Sequence, residues 1–163
     1  MRASAQIPHK ITDRDELSRM ARRWHATGKT VVFTNGCFDI LHQGHIEVLS
    51  RAAELGDALV IGVNADESVQ RLKGPERPVN NQHFRSLMLA SLTIVDAVSI
   101  FEEDTPLELI SALRPDVLVK GGDYRIDQIV GADLVQSYGG QVTTIPLVEG
   151  YSTSNLIKKI RAL

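Results

Sequence analysis

The chain has 163 residues, which is the size of one domain and enough to bury a substantial core without metals or disulfides. Hydrophobic residues make up 43% of it and charged residues 23%. No run approaches the ~18 apolar residues of a membrane span, so we expect a soluble globular protein with no membrane partner. With 18 basic and 20 acidic residues the net charge is −2, which provides no overall field for binding nucleic acid.

The start of the chain and its cysteine content both predict a cytoplasmic location. Residues 1–6 lack the apolar h-region of a secretory signal. Cys37 is the single cysteine and cannot form an internal disulfide. We interpret its thiol as a small space-filling group and not as a nucleophile.

The first predicted elements are a helix and a buried strand. Residues 12–15 offer N-cap chemistry, with Asp13 among them. Four apolar residues then recur at helical spacing before Gly28: Leu17, Met20, Ala21 and Trp24. The run of residues 30–34 that follows is short, apolar and β-branched, which is typical of a strand buried in a sheet.

The turn after this strand is the most informative part of the chain, with the sequence Asn35-Gly36-Cys37-Phe38-Asp39-Ile40-Leu41-His42-Gln43-Gly44-His45. Helical spacing resumes at Ile46, so H-x-G-H stands where a strand leads into a helix. A helix that begins near Gly44 offers unpaired N–H groups and a positive dipole end to an anion. His42 and His45 would add two side-chain donors, and the missing Cβ of Gly44 would let phosphate oxygens approach the backbone. The turn therefore predicts a phosphate site.

Two other interpretations of the histidine pair are open from the residues alone. The pair could hold a metal, or it could be two helix-start histidines that the backbone satisfies. Zinc needs three or four ligands of recognisable spacing, and only Cys37 and Asp39 lie nearby in the sequence. We therefore favour phosphate binding and predict no protein-bound metal.

A basic segment, residues 71–78, follows the second predicted strand at residues 58–63. It contains two prolines and a glycine, so we interpret it as a loop without regular helix. The loop is either a solvated surface or a lid that closes over a polyphosphate. We favour the lid, with Lys73 as its phosphate-binding cation ahead of Arg71 and Arg77.

Two further helices are predicted in the middle of the chain. The first has an apolar stripe that could face the core or a partner subunit: Phe84, Leu87, Met88, Leu92 and Val95. Arg85 lies on the same helix and could reach the site or face solvent; on its own, its position favours solvent. The second helix begins at Thr105-Pro106-Leu107-Glu108, which combines an N-cap, a first-turn proline and a capping-box glutamate. It ends at Arg114-Pro115.

The remaining predicted strands are residues 97–100, 117–119 and 142–145, each separated from the next by a helical segment. This alternation predicts an α/β fold, a Rossmann-like five-stranded parallel sheet with helices on both faces. We find no linker, so we expect one domain over residues 1–163, with residues 1–28 as an N-terminal extension and helix.

Parallel sheets bind ligands beyond the carboxyl ends of their strands, at the switch point of the strand order. The ends of the first and fourth strands carry the turn described above and Lys120–Tyr124. Ser152-Thr153-Ser154 precedes the last helix, where its hydroxyls and N–H groups could cap the helix and bind a second phosphate. That helix has an apolar stripe of its own: Leu156, Ile157, Ile160 and Leu163.

With these residues assembled, the chain resembles the cytidylyltransferase-like nucleotidyltransferases, whose marks are a glycine-Phe-Asp turn, H-x-G-H and a terminal S-T-S/T helix start. Within that superfamily it is most similar to the adenylyltransferase domain of ADP-heptose synthases, from about Gly28 to the C-terminus. Four stretches carry this similarity: residues 33–42, 71–74, 101–106 and 118–124.

The resemblance implies a reaction in which a heptose 1-phosphate oxygen attacks the α-phosphorus of ATP, forming ADP-heptose for the lipopolysaccharide inner core and releasing pyrophosphate. Mg²⁺ would be bound with ATP. His42 and His45 would hold the nucleotide phosphates, while Lys73 and Arg85 would neutralise them. The other implied nucleotide or substrate contacts are Asn35, Gly36, Cys37, Phe38, Asp39, Gly44, Lys120, Gly122, Asp123, Ser152 and Thr153.

The chain departs from this pattern in two ways. Many relatives fuse the domain to a ribokinase-type sugar kinase, which is not present in these residues, so we expect a separate kinase to supply the heptose phosphate. In addition, Leu147 begins Leu147-Val148-Glu149-Gly150 where the cytidylyltransferase branch typically has arginine. Relatives are often dimers, so a homodimer is expected. Two alternatives stay open: a cytidylyltransferase acting on glycerol 3-phosphate or a similar phosphorylated alcohol, and a nucleotide-binding regulator without turnover.

Overall fold

Five strands alternate with helices along the chain in a computed structural model that describes residues 3–148 and 150–163. The strands are β1 (Val31–Gly36), β2 (Ala58–Asn64), β3 (Ala97–Phe101), β4 (Val117–Gly121) and β5 (Gln141–Ile145). They pair in parallel in the order β3-β2-β1-β4-β5, so the strand order reverses between β1 and β4. The predicted Rossmann-like sheet is confirmed.

The helices cover both faces of the sheet. In chain order they are α1 (Arg14–Ala26), α2 (Gln43–Ala53), α3 (Asp66–Lys73), α4 (Gln82–Ala90), α5 (Leu107–Leu113), α6 (Ala132–Ser137) and α7 (Thr153–Arg161). Short 3₁₀ helices occupy Ala3–Gln6, Pro8–Lys10 and Ile126–Gln128. Within the described ranges, none of the helices combines the length and the apolar character that crossing a bilayer requires.

The core is divided by the sheet, because alternate strand residues point to opposite faces. Val31 and Phe33 pack in one apolar cluster with residues of α1, α5 and α6. Val32 packs in the other cluster with residues of α2 and α4. The sheet is thus apolar on both faces, and the polar residues Asn35, Asn64 and Lys120 lie at the carboxyl ends of β1, β2 and β4.

The helix ends show which capping predictions were correct. Asp13 caps α1, because its carboxylate accepts a hydrogen bond from the Glu16 N–H at 2.8 Å. The predicted end of α5 at Arg114-Pro115 is confirmed: the helix stops at Leu113, and Arg114 is its C-cap residue in the left-handed conformation. The predicted N-cap at Thr105 is wrong: α5 begins at Leu107 with Pro106 in the cap position, and no side chain caps it.

Two predicted apolar stripes face the core only in part. Phe84, Leu87 and Met88 are exposed on α4, because the side of this helix that packs on the sheet carries Arg85, Ser86, Leu89 and Ala90. The helix also ends at Ala90, so Leu92 and Val95 lie beyond it, where Val95 is fully buried in the core. None of the α7 residues is buried, and Ile160 is 56% exposed. The expected homodimer stays a prediction.

Candidate active site

A cleft of about 630 Å³ opens at the carboxyl ends of the strands. Its walls come from the end of β1, the start of α2, the end of β4, the end of α3, the segment before α5 and the start of α7. This is the switch point of the strand order, where open α/β sheets bind ligands. The volume lies in the range of small-molecule sites, about 300–1,000 Å³.

Most of the predicted site residues lie around this cleft. Those that line it are Asn35, Gly36, Cys37, Phe38, Asp39, His42, Gly44, His45, Lys73, Lys120, Ser152 and Thr153. Arg85, Gly122 and Asp123 do not line it. The Gly122 N–H is instead bonded to the Ile145 carbonyl at 2.8 Å, in the turn after β4. The binding roles that we assign to the lining residues remain predictions.

The two histidines form a stacked pair at the start of α2. His42 is the N-cap residue of this helix, and its ring lies 3.8 Å from that of His45, with an angle of 24° between the ring planes. The Phe38 ring packs on His45 at 5.3 Å. Both Nδ1 atoms are buried and have no hydrogen-bond partner in the described part of the chain. Buried polar atoms without partners are rare, and an Nδ1 that carries the proton could donate to an anionic ligand.

Burial controls the charge of the pair. Desolvation lowers the pKa of His42, and desolvation together with the nearby His42 lowers the pKa of His45 to about 4. Without a ligand, both imidazoles are therefore neutral at pH 7. Each neutral ring still carries one N–H donor, and a bound phosphate would favour the protonated form.

The His45 titration can be observed directly by NMR. We expect the His45 ring to titrate near pH 4, and we expect pyrophosphate to raise its apparent pKa because an anion stabilises the imidazolium. The unfolded chain takes up this proton near 6.5, so stability should decrease as the pH falls from about 6.5 to about 4. A His45→Gln variant assigns the resonance. A ligand-free titration at 6.5 or above would contradict the buried environment.

The neighbours of Gly44 leave little room for a side chain, which is a reason for the glycine that differs from the predicted one. A Cβ at this position would lie 3.1 Å from Nδ1 of His42 and 3.4 Å from the Cβ of Tyr151. The absent side chain thus leaves room for the His42 ring and for the segment before α7. Direct access of a phosphate to the backbone is compatible with this packing but is not needed to explain the glycine.

Replacing Gly44 with alanine separates these effects. Alanine favours a helix by about 1 kcal/mol over glycine, which offsets the crowding, so we expect little change in the free energy of unfolding. We expect turnover to fall about 10-fold or more, because the His42 ring must move and small displacements of reacting groups are costly. Urea unfolding and an assay of pyrophosphate release check this. Normal turnover would show that the His42 position is not critical.

The glycine-Phe-Asp turn contains a residue with a strained backbone, and side-chain packing holds the turn in place. Phe38 has φ +47°, in the left-handed region that costs a non-glycine residue about 1–2 kcal/mol. A Cβ on Gly36 would lie 3.1 Å from the Phe38 ring. The ring therefore occupies the space that Gly36 leaves open, and this places it against His45.

Asp39 has its hydrogen-bonding capacity occupied by the protein. Its buried carboxylate accepts bonds from the Arg77 guanidinium at 2.6 Å and from the N–H groups of Val79 and Asn80 at 2.8 and 2.9 Å. Burial opposes the charge, but the hydrogen bonds from Asn80, Val79 and Arg77 outweigh it and lower the pKa of Asp39. Asp39 thus anchors the segment between α3 and α4 to the turn after β1.

The predictions for Arg85 are corrected by the structure. Its side chain is fully buried, so it neither faces solvent nor reaches into the cleft. The guanidinium donates to the carbonyls of Cys37, Asn64 and Asn80 at 2.6, 2.7 and 3.0 Å. It also pairs with the Asp66 carboxylate at 2.7 Å. Arg85 thus joins the turn after β1, the end of β2 and the segment before α4.

Two lysines supply positive charge to the cleft. Lys73 is the last residue of α3 and Gly74 is its C-cap residue, so the prediction that residues 71–73 are loop is wrong. Lys120 is in β4, and its pKa is lowered by burial and also by the charge of Lys73. Burial likewise raises the pKa of the Cys37 thiol, which agrees with a space-filling role.

The start of α7 uses its hydroxyls within the protein. Ser152 caps the helix by accepting a bond from the Asn155 N–H at 3.1 Å, as predicted. Thr153 Oγ1 donates to the Ile40 carbonyl at 3.5 Å, which brings α7 to the turn after β1. The N–H groups of Thr153 and Ser154 come before the first capping bond of α7 and could bind an anion. Glu149 belongs to the segment Leu147–Gly150, which differs from the cytidylyltransferase branch at Leu147, and it lies outside the described residues.

Several lining residues were missed from the sequence. They are Asn64 at the end of β2, Asp104 and Thr105 before α5, Tyr124, Gln128, Ile129 and Val130 after β4, and Leu147 and Tyr151 before α7. Asn64 and Asp104 could have been predicted, because they lie at or shortly after the carboxyl ends of β2 and β3, where parallel sheets bind ligands. Among the described residues, no group of three His, Cys, Asp or Glu side chains could hold a metal.

Known proteins similar to this chain agree with the fold. A family profile described as cytidylyltransferase-like matches residues 33–159. The bifunctional protein HldE of Mesorhizobium japonicum is 55% identical over 163 residues, which are 99% of this chain and 33% of that protein. HldE of Trichlorobacter lovleyi is 54% identical over 93% of this chain and 31% of that protein. The chain spans about a third of the length of these curated relatives, and the similarity includes residues before Gly28.

Solved structures show the same architecture. The lipopolysaccharide core biosynthesis protein of Thermoplasma volcanium superposes with a TM-score of 0.60 at 29% identity, over 77% of this chain and all of that one. Pantoate-beta-alanine ligase of Francisella tularensis has a TM-score of 0.59 at 14% identity, over 94% of this chain and 78% of that one, which shows the fold alone. The family profile covers most of the chain, and it includes the glycine-Phe-Asp turn, the histidine pair and the start of α7. This chain belongs to the cytidylyltransferase-like family and is a nucleotidyltransferase.

Proposed function

We propose that this chain transfers AMP from ATP to D-glycero-D-manno-heptose 1-phosphate, giving ADP-heptose and pyrophosphate for the lipopolysaccharide inner core. The observation that carries the proposal is the stacked pair of His42 and His45 at a helix start, in a cleft that Lys73 also lines. Their Nδ1 atoms are buried and have no partner among the described residues. The choice of sugar is supported by the resemblance to ADP-heptose synthases. It is also supported by the similarity to a lipopolysaccharide core biosynthesis protein.

The proposed chemistry is a displacement at phosphorus. A phosphate oxygen of the sugar phosphate forms a bond to the α-phosphorus of ATP, and the bond from that phosphorus to the β-phosphate bridging oxygen breaks. No side-chain base is needed, because a phosphate monoester is already ionised near neutral pH. Catalysis therefore consists of aligning two anions and stabilising the charge that develops on the α-phosphate and the leaving group.

The groups around the cleft suit this task. His42 and His45 offer N–H donors, the starts of α2 and α7 offer backbone N–H groups, and Lys73 supplies a positive charge. These donors are fixed by the fold before the substrate arrives, with the Phe38 ring holding His45 and the Asp39 bonds holding the adjacent turn. Preorganised donors of this kind stabilise a transition state without reorganisation.

Mg²⁺ enters the proposal as part of the substrate. The described residues offer no cluster that fits a resident ion, and the Asp39 carboxylate is occupied by Arg77, Val79 and Asn80. Mg²⁺ commonly binds through substrate phosphates with few protein ligands. We therefore propose that MgATP is the nucleotide that binds, and that a separate heptose kinase supplies the sugar 1-phosphate.

Pyrophosphate release tests the proposal. Purified protein with Mg²⁺ is assayed with ATP and with CTP, each against both anomers of heptose 1-phosphate, glycerol 3-phosphate and phosphopantetheine. We expect release with ATP and one heptose 1-phosphate anomer only. Release with CTP and glycerol 3-phosphate would assign the chain to the cytidylyltransferase alternative, and nucleotide binding without release from any pair would favour a regulator.

A further inference from the structure

The cleft has two ends, one on either side of the histidine pair. The strand order places β2 and β3 on one side of β1, and β4 and β5 on the other. The β4–β5 end, as we define it, is lined by Lys120, Tyr124, Leu147 and Tyr151. The β2–β3 end, as we define it, is lined by Asn64, Asp104, Thr105 and Pro106. A ligand whose phosphates lie at the histidines has one group in each end.

The two ends differ in chemistry. The β4–β5 end has two tyrosines and Leu147, which packs close to the backbone of Gly121. Aromatic and apolar walls suit a planar base. Beside Pro106, the β2–β3 end presents an amide, a carboxylate and a hydroxyl, which suit a group with many hydroxyls. The acceptor sugar therefore fits the β2–β3 end better than the base does.

The polar wall of the β2–β3 end is held in place by α3. Arg71 donates to Asp104 Oδ1 at 2.7 Å and to the Glu102 carbonyl at 2.8 Å. Ser68 donates to the Glu103 carbonyl at 3.2 Å and accepts from the Asn64 amide at 3.1 Å. The segment that carries Asp104 is therefore ordered before any ligand arrives, which reduces the entropy cost of binding.

The charge of Asp104 restricts what can bind beside it. A carboxylate only accepts hydrogen bonds, and it repels phosphates in a cleft that must hold two phosphorylated substrates. Arg71 occupies Oδ1, while the side chain stays 70% exposed and its other oxygen can reach a ligand. The neutral, hydroxyl-rich part of a sugar phosphate meets both conditions.

We propose that Asp104, held by Arg71 and with Thr105 beside it, is a specificity-determining residue that accepts hydrogen bonds from hydroxyls of the acceptor sugar. This inference rests on the proposed function and adds to it a location for the sugar and a residue that selects it. It makes the β2–β3 end the sugar site and Asp104 its charged acceptor.

Kinetics with heptose 1-phosphate test this assignment. For Asp104→Ala we expect the KM for the sugar phosphate to rise about 10-fold or more at saturating MgATP, since hydrogen bonds to charged groups are worth factors of this size. The Kd for MgATP, measured by calorimetry, should stay within about 2-fold. Asp104→Asn keeps one acceptor oxygen, so its KM should be intermediate. Asp127→Asn is the matched control, because Asp127 is an exposed carboxylate paired with Arg125 and does not line the cleft.

An Arg71→Gln variant separates sugar binding from a structural role of the ion pair. If Asp104 only holds Arg71 and the segment before α5, the two variants will raise KM equally, and that result would overturn the inference. An unchanged KM in Asp104→Ala, or an equal rise in the Kd for MgATP, would also overturn it. A wild-type protein inactive with every heptose 1-phosphate contradicts the proposed function and this inference together, whereas an active wild type with a normal Asp104→Ala variant contradicts the inference alone.

Discussion

Replacing His45 with alanine should reduce the rate of pyrophosphate release about 100- to 1,000-fold, the effect expected when a preorganised donor to a developing charge is removed. The His45 ring lies between His42 and Phe38 at the start of α2, and its buried Nδ1 has no protein partner among the described residues. A group in this position contributes more to binding an anion than to the fold. We therefore expect the variant to remain folded, with the loss concentrated in kcat.

The control for this variant is His83→Ala. His83 is exposed on α4 and does not line the cleft, so turnover should be unchanged. Circular dichroism and thermal unfolding establish that both variants are folded. If a folded His45→Ala protein releases pyrophosphate at nearly the wild-type rate, then His45 takes no part in catalysis.

Replacing Arg85 with alanine should reduce the free energy of unfolding by about 3 kcal/mol or more, because a buried ion pair and several hydrogen bonds lose their donor. The guanidinium bonds to the carbonyls of Cys37, Asn64 and Asn80 and to the Asp66 carboxylate. Arg85→Lys retains the charge but not the planar fork of donors, so its stability should be intermediate. Urea unfolding measures both changes.

An exposed arginine provides the matched control for Arg85. Arg161 pairs with Glu76 at 3.0 Å on the surface, where both side chains are more than half exposed, so Arg161→Ala should change the free energy of unfolding by about 1 kcal/mol or less. Since Arg85 holds the turn that leads to the histidines, turnover should also fall in the Arg85 variants that still fold. An Arg85→Ala protein as stable as Arg161→Ala would contradict the positioning role.

The parallel sheet could be predicted because its strands are short apolar runs at regular intervals, and parallel strands are buried on both faces. The position of the cleft followed from topology, since the predicted alternation of strands and helices allows few arrangements. The strands end later than predicted: β1 includes Asn35 and Gly36, and β4 includes Lys120 and Gly121. In the sequence, polar residues at the end of a strand look like loop residues. Their extended conformation depends on backbone hydrogen bonds to the neighbouring strands, which the sequence does not show.

The roles of Arg85 and Asp39 could not be predicted, because their partners are backbone groups of distant segments. Arg85 bonds to carbonyls up to 48 positions away, and Asp39 to N–H groups about 40 positions away. No periodicity or motif records such contacts. The buried face of α4 was difficult to predict for the same reason. Its sequence offers an apolar face with Phe84 and Leu87, but the face that packs on the sheet includes Arg85, because the charge of Arg85 is paired there.

The most direct test of the account is the fate of labelled oxygen. Heptose 1-phosphate with ¹⁸O in its non-bridging phosphate oxygens is incubated with MgATP and the protein. The products are then separated, and the ¹⁸O content of each is measured by mass spectrometry. Attack of the sugar phosphate on the α-phosphorus predicts that all the label stays in ADP-heptose and that the pyrophosphate is unlabelled. Label in inorganic phosphate or pyrophosphate, or formation of ADP and a sugar bisphosphate in place of ADP-heptose, would contradict nucleotidyl transfer at this cleft.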